Sequence, residues 1–364
     1  MIIIKAIRGF WLIILFCLCL VAATLLIAAD LAIWVSAEHC FVFSILALGF
    51  ELLFAANIVL VILSVFSSKK SLVALPLIAL AISILPARNV MSISSQTIDN
   101  TNAPTYSIMS YNICGSQNYQ PSAQNRVLQF IKQQQPDIIC LQELRTWDNK
   151  RYLTKADIEQ FLNYPYSYFA YPSHSGNNHF GIAVFSKYPI VNSRPLLFEQ
   201  SANCASVCDI KLGHDTVRLI NNHLQSYSFS KDELQVDINS DSEQMRESAV
   251  KMSGKMREAY KQRSKQARNI HDNINSSPYP VIVCGDMNDV PVSYVYHKIS
   301  SGLQDAFLDA CPWQLGHTFK HNYWGVRIDY LLHSHSIKTV DFTIMEADYS
   351  DHQPVMATFT NQCY

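Results

Sequence analysis

Five short apolar runs after residue 106 each close on an acid, an amide or an imidazole, and they follow one another in order along the chain. They read SIMSYNICG (Ser107–Gly115), PDIICLQEL (Pro136–Leu144), RLINNHLQS (Arg218–Ser226), VIVCGDMND (Val281–Asp289), and RIDYLL with SDHQPV (Arg327–Leu332, Ser350–Val355). Each run holds four to six residues rich in Ile, Val and Leu, the length and composition of a buried strand. A side chain at the end of such a strand is held rigidly, so several ends that converge make a site. The collected groups are carboxylates, carboxamides and imidazoles, with no Cys/His pair at zinc spacing and no Gly-rich phosphate loop. That donor set suits a hard, oxygen-liking metal ion and phosphate chemistry.

The first 90 or so residues have a different character, almost uncharged and strongly apolar. Phe10–Val35 and Cys40–Phe66 each exceed the roughly 20 apolar residues that cross a bilayer core. Ser71–Ala87 is shorter and carries Pro76 and Pro86. Lys5 and Arg8 precede the first segment, and Lys69 and Lys70 lie between the second and third. The positive-inside tendency then puts the N-terminus and this second loop in the cytoplasm. With three spans the long C-terminal part emerges on the far side; if the third segment only dips into the interface, that part stays cytoplasmic. A cleaved signal peptide is the rival for the first segment, with Ala28 and Ala29 behind a basic start. The two adjoining apolar segments favour an anchor. Glu51, near mid-span, is expected to hydrogen-bond between helices, with Asn57 or a polar group of another segment.

These features divide the chain into a transmembrane region at 1–88 (spans about 10–35, 40–66 and 71–87), a polar linker at 89–105, and a catalytic domain at 106–364. The 28 basic and 29 acidic residues exert no global pull toward nucleic acid or anionic lipid, so steering must come from local patches. Ten cysteines show no disulfide framework: Cys114, Cys140 and Cys284 read as strand fillers, and Cys204 and Cys208 are too far apart in an extended chain to bond. Gln225–Ser277 reads as one long amphipathic helix over a sheet face, with Met245, Ala249, Met252, Met256, Tyr260, Ala267, Ile270 and Ile274 on its apolar side. Its eight basic and three acidic residues between Glu243 and Arg268 read as a solvated face, or as a flank attracting phosphate-bearing groups.

Phosphodiester cleavage requires a metal on the non-bridging oxygens, a base for water, donors for developing charge and help for the leaving group. Glu143 and Asp351 are carboxylates suited to Mg2+, with Asn112 as a neutral oxygen ligand or an orienting group. Asp286 is a candidate base, and Asn288 a candidate donor to a phosphoryl oxygen. Asp329 can orient His352 and raise its basicity. His223 can donate to the phosphate or the leaving oxygen. His179 and Lys187 are candidates for the pocket wall or for ordinary surface positions.

Taken together, the segments Ser110–Ile113 (SYNI), Leu141–Glu143 (LQE), Asn222–Leu224 (NHL), Gly285–Asn288 (GDMN), Arg327–Tyr330 (RIDY) and Ser350–His352 (SDH), with Gly181–Lys187 (GIAVFSK), make Tyr106–Phe359 resemble the endonuclease/exonuclease/phosphatase superfamily, in a membrane-anchored, bacterial-type form. The resemblance implies a four-layer α/β sandwich, two mixed β-sheets face to face with helices outside, preceded here by transmembrane helices. It further implies Mg2+- or Mn2+-dependent hydrolysis of phosphoesters. By motif, Asn112, Glu143 and Asp351 lie at the metal, and Asp286 positions or deprotonates water. Asn288 stabilises the transition state, and His352, oriented by Asp329, contacts the phosphate with His223 across from it. Asp286 and His352 compete for the role of base.

The expected partners are a phosphoester substrate, nucleic acid or a lipid or small-molecule phosphate, and the lipid bilayer. The expected location is a bacterial inner membrane, crossed several times, with the catalytic domain extracytoplasmic. A catalytically silent membrane scaffold is the alternative of a different class. It predicts the loss of an acidic or imidazole position, and none is missing.

Overall fold

The computed structural model describes residues 2–93, 104–115, 122–227, 229, 242–321 and 324–361. Most of the expected linker (94–103) therefore lies outside the described residues. The chain forms two compact units, Met1–Val90 with Val290–His297, and Met91–Asp289 with Lys298–Tyr364.

The first unit is helical. One unbroken stretch, Ile7–Ile33, is long and apolar enough to cross a membrane, with a mean hydropathy of 3.0. The other two apolar segments are broken. Phe41–Leu48 and Phe50–Phe66 meet at 66° around Gly49, and Lys70–Ile82 and Ile84–Val90 meet at 55° around Ser83. At the second break, Pro86 has no N–H to give to Ile82, and its ring crowds that carbonyl. The three expected segments are thus one unbroken helix and two bent pairs, one span or up to three if each bent pair crosses as one. Buried polar groups tie the segments together: Asn57 donates to Ala22 O of the first helix at 3.1 Å, and Ser83 donates to Asp30 at 2.7 Å. Where lipid offers no partner, such bonds between helices are a main source of specificity.

The second unit carries fourteen strands: β1 (Thr105–Asn112), β2 (Ile138–Trp147), β3 (Tyr166–Ser175), β4 (Asn178–Ser186), β5 (Ile190–Leu197), β6 (Cys204–Leu212), β7 (Asp215–His223), β8 (Val281–Asp286), β9 (Gln304–Asp305), β10 (Phe319–His321), β11 (Trp324–Val326), β12 (Asp329–His333), β13 (Ile337–Ile344) and β14 (Val355–Asn361). They build two six-stranded sheets, in the orders β13-β14-β1-β2-β4-β3 and β5-β6-β7-β8-β12-β9, and one small hairpin, β10-β11. Each large sheet is mixed in the same way. One parallel pair, β1/β2 in the first and β7/β8 in the second, sits among antiparallel neighbours.

Period-2 alternation explains the layers. Ile108, Ile138, Cys140 and Val184 of the first sheet meet Cys208, Leu219, Ile282, Cys284 and Leu331 of the second in one core. The intervening residues Met109, Tyr111, Ile139 and Leu141 face the other way. They pack on the helices Arg126–Gln134 and Lys155–Leu162 through Leu128, Ile131, Ile158 and Leu162. Asn125 caps the first of these helices at Leu128 N, and Thr154 with Asp157 forms a capping box on the second.

The long helix spans Ser242–Asn275; the earlier part of the expected helix falls largely on 228 and 230–241, outside the described residues. Tyr260, Ala267, Ile270 and Ile274 are buried as the pattern expects. Met245 and Ala249 are exposed, so the apolar stripe is used only in its C-terminal part.

Candidate active site

Four inward-facing columns of the core turn polar at one end: Ile108 is followed by Ser110 and Asn112, Cys140 by Gln142, Leu219 by Asn221 and His223, and Cys284 by Asp286. These are the C-terminal ends of the two parallel pairs. Strand register then sets the positions. His223 stands opposite Asp286 across β7/β8, and Asp286 opposite Asp329 across β8/β12, so three adjacent strands present three functional side chains in one row. All three are buried.

A close backbone approach supports this row. Gly285 has φ +121°, and a Cβ there would lie 1.9 Å from the Asn222 carbonyl oxygen, so only glycine lets β7 and β8 run on to His223 and Asp286.

Glu143 arrives differently. Strict alternation would send it outward with Ile139 and Leu141. Between the pairs Leu141–Ala183 and Leu144–Gly181, however, β2 has the two residues Gln142 and Glu143 where β4 has only Ile182. This bulge, with Glu143 at φ +54°, brings its carboxylate to Asn112 Nδ2 at 3.3 Å and His223 Nε2 at 3.4 Å. Asn288 also has positive φ, +53°. Such strain in non-glycine residues concentrates at functional positions.

Hydrogen bonds fix Asp286. Its Oδ2 accepts from Asn112 Nδ2 at 2.9 Å and Asn288 Nδ2 at 3.1 Å, and its Oδ1 accepts from the Asn288 backbone N–H at 2.7 Å. Asn112 Oδ1 accepts from Cys114 N–H at 2.9 Å, so here Asn112 serves as an orienting group between two carboxylates. His352 Nδ1 bonds Asp329 Oδ2 at 2.9 Å, while its Nε2 faces Asp286 Oδ2 at 3.7 Å. Burial opposes charge on His352, but Asp329 and then Asp286 outweigh it and raise its pKa. Burial also raises the pKa of Asp286; His352 opposes that shift and Asp329 adds to it. On His223 burial acts to lower the pKa, only partly offset by Glu143.

Of the eight residues singled out in the sequence, seven form this one network. Asp351 does not join it: it is exposed, and its Oδ1 meets the Ser350 hydroxyl at 3.3 Å. Ser350 itself bonds Asn112 O at 2.8 Å. Among the described residues, the acid and imidazole groups whose ligand atoms lie within 4.8 Å of one another are Asp286, Asp329 and His352. Lys187 lies at the opposite end of the sheet, bound to Asp137 at 3.0 Å. His179 pairs with Asp148 at 2.9 Å, outside the network.

Other contributors were not assigned a role from the sequence. Asn203 bonds His223. Gln142 donates to Asn221 at 2.7 Å and so links the two sheets beneath the site. The β10–β11 hairpin holds the Asp351–His352 segment through Lys320 N–H to Asp351 O and a bridge between Phe319 and His352. The Phe319 ring sits 5.1 Å from the His352 ring, with the half-exposed Trp324 edge-on to Phe319.

Residues 109–352 match the model of the Endonuclease/Exonuclease/phosphatase family. The chain belongs to that family, whose members hydrolyse phosphoester bonds. Among solved structures it is similar to an endonuclease/exonuclease/phosphatase from Beutenbergia cavernae, with a TM-score of 0.52, 16% identity, and 71% of this chain and 72% of that one covered. It is also similar to ANGEL2, a 2',3'-cyclic phosphatase solved with adenosine-2',3'-vanadate, with a TM-score of 0.51, 15% identity, and 75% and 100% covered. A family protein from Bacteroides thetaiotaomicron has a TM-score of 0.51 at 14% identity, with 72% and 100% covered. At these identities the likeness is one of fold. No curated protein matches.

Proposed function

We propose that this chain is a membrane-tethered, divalent-metal-dependent phosphodiesterase whose reaction centre is the His223–Asp286–Asp329 row with His352 across it. The observation that carries the reading is this row, with every member buried and hydrogen-bonded. Among the described residues Glu143 accepts one side-chain hydrogen bond, from Asn112, and its side chain is 25% exposed. It therefore has oxygen lone pairs free for a hard cation, and Mg2+ needs only one or two protein carboxylates. Glu143 would hold the ion, with Asp351 exposed to the same solvent and Asn112 orienting Glu143. When bound, Mg2+ or Mn2+ neutralises the non-bridging phosphoryl oxygens.

The chain's own groups do the rest. Asp286, its pKa raised by burial, is suited to accept a proton from the attacking water near neutral pH. Its orientation is set by Asn112 and Asn288. His352, held cationic by Asp329, donates toward the scissile phosphate, and the Asn288 amide supports the developing charge. These opposite characters favour Asp286 as the base and His352 as the donor.

Nucleic acid or a nucleotide is the favoured substrate class, because Trp324 and Phe319 offer ring faces beside His352 on which a base can stack. A lipid phosphodiester is the second reading, favoured by the apolar helix Ile7–Ile33. The tether is read as multi-pass, with the N-terminus cytoplasmic and the catalytic unit on the far side. A cytoplasmic signal from a C-terminal reporter would overturn that orientation.

The full chain, in detergent with Mg2+, is to be assayed on plasmid DNA, RNA, a 2',3'-cyclic nucleotide, sphingomyelin and a chromogenic diester. Asp286→Ala and His352→Ala are each expected to lose about 10^3-fold in kcat. Activity retained in both refutes the assignment; chelation that leaves the rate unchanged refutes the metal.

A further inference from the structure

Where the chain leaves the first unit it runs straight into an apolar patch of the second. Val90 is buried in one cluster with Leu26, Ala29 and Ile33, at the C-terminal end of the long apolar stretch. Trp34, one residue further along, is 71% exposed. An exposed Trp at the end of an apolar helix belongs at a membrane–water boundary. The chain leaves the helical unit at that level, and Met91 follows at one residue step, about 3.8 Å.

Met91–Ile93 belong to the second unit. Ser92 forms an antiparallel bridge with Gln314, its N–H donating to Gln314 O at 3.1 Å. The Ser92 side chain is buried, its hydroxyl donating to Cys311 O with Leu308 O at 3.2 Å. The residues that flank the bridge are not buried. Met91 and Ile93 on one segment, and Trp313 and Leu315 on the other, are all exposed, Trp313 at 75%. An antiparallel bridge sets Met91 near Leu315 and Ile93 near Trp313, so the four make one apolar patch.

This exposure is not that of a loose loop. Cys311 is buried, with its thiol bonded to Phe342 O at 3.5 Å. At the other end Gly316 has φ +72°, and a Cβ there would lie 2.5 Å from the Phe307 ring. Between them Trp313 holds φ +47°, a left-handed conformation unusual for a bulky residue. Four large apolar side chains kept exposed on a fixed loop mark an interaction surface. Neither Met91–Ile93 nor Cys311–Gly316 contains a charged residue, so the partner is held by apolar burial rather than by charge.

Resting on the membrane tether of the reading above, we propose that Met91, Ile93, Trp313 and Leu315 form an interfacial anchor that seats the catalytic unit on the lipid surface. Two observations name lipid as the partner. The patch begins one residue from the point where the chain leaves the membrane boundary, and its most exposed member is Trp, whose apolar ring and N–H suit that layer. Zwitterionic lipid suffices, because no basic residue of these segments takes part.

The test uses the full chain labelled with fluorotryptophan in phosphatidylcholine nanodiscs. Fluorine signals are assigned with Trp11→Phe, Trp34→Phe, Trp147→Phe and Trp313→Phe. Two broadening agents are compared, a lipid with a nitroxide near the carbonyl end of its acyl chain and a water-soluble gadolinium chelate. The Trp313 signal is expected to be lost with the lipid nitroxide and to survive the chelate, while the buried Trp147 resists both and sets the baseline. Trp11 and Trp34 report the tether itself. If the lipid nitroxide leaves them sharp, the membrane reading fails and the anchor with it. If they broaden while Trp313 is lost to the chelate instead, the patch faces water and the anchor alone is overturned. A Trp313 signal shielded from both agents means that protein, such as a second copy of this chain, covers the patch, which also overturns it. In Leu315→Asp, its folding checked by an unmoved Trp147 signal, Trp313 is expected to become open to the chelate. Full lipid broadening in that variant would show that the chain connection alone holds Trp313 near the bilayer, and the anchor is again overturned.

Discussion

The two large sheets share a plan, each with one parallel pair whose C-terminal end faces the site, yet they deliver their side chains in opposite ways. The second sheet keeps strict register across β7, β8 and β12, and His223, Asp286 and Asp329 follow from it as a buried, hydrogen-bonded row. The first sheet breaks its register at Gln142 and Glu143 and offers a carboxylate that is partly open to solvent. On the proposed function this is a division of labour. Proton chemistry needs perturbed pKa values and fixed orientation, which burial and regular pairing supply. A hard cation that keeps several waters needs a reachable carboxylate, and a bulge re-aims one without disturbing the core.

The regular side is broken most severely at Gly285. A Cβ there would collide with Asn222 O, and φ +121° is a region almost reserved for glycine. Gly285→Ala is expected to cost about 3 kcal/mol in stability, read as a fall in Tm, and to abolish activity as His223 and Asp286 part. A variant of unchanged Tm and activity would show that the row does not depend on this approach.

The bulged side is tested by Glu143→Gln, which keeps size and removes charge. At limiting Mg2+ the rate is expected to fall roughly 100-fold and to recover in part as Mg2+ is raised, with Tm almost unmoved. A loss that added metal does not relieve would place Glu143 in the proton chemistry rather than at the ion.

How much of this was legible in the sequence follows from the same contrast. The row was legible because periodicity and register are local: an apolar run that ends in Asp or His shows its last residue at the strand end. Asn203 was not, since it sits in a loop with no pattern and meets His223 only through the fold. The β2 bulge was invisible too, because LQEL reads as unbroken strand. The motif proposes Asp351 as a ligand, and in the structure its neighbours Ser350 and His352 make the contacts to Asn112 and Asp329. The breaks at Gly49 and Ser83 were signalled only weakly, by a glycine and by Pro86.

A smaller effect joins the two sheets. Gln142 donates to Asn221 Oδ1, and Asn221 Nδ2 reaches Leu141 O and Ala183 O at 3.3 and 3.2 Å, all within the buried core. Asn221→Ala removes these three bonds, while Gln142 Nε2 keeps Ser110 Oγ at 3.1 Å, and is expected to cost about 2 kcal/mol. It also loosens the link that holds Glu143 against His223, so activity should fall further than the unfolded fraction explains. Equal losses of stability and activity would reduce the pair to a packing contact.

The smallest expected effect is at the far end of the first sheet, where Asp137 accepts from Ser107 N–H at 2.8 Å, Ser107 Oγ at 3.0 Å and Lys187 Nζ at 3.0 Å. Burial acts to raise its pKa, but the bonds from Ser107 and Lys187 outweigh this and lower it. A carboxylate whose pKa is lower in the folded state adds stability above its unfolded pKa, about 3.9, and loses it as pH falls through the folded value. Asp137→Asn should therefore cost about 1 kcal/mol at pH 7, and the gap to wild type should close below about pH 4. Activity per folded molecule should not change, because Lys187 and Asp137 stand at the end of β2 remote from Glu143. A change in Mg2+ requirement would show that the bulged end senses the whole strand, and the division between the sheets would then be less local than their registers imply.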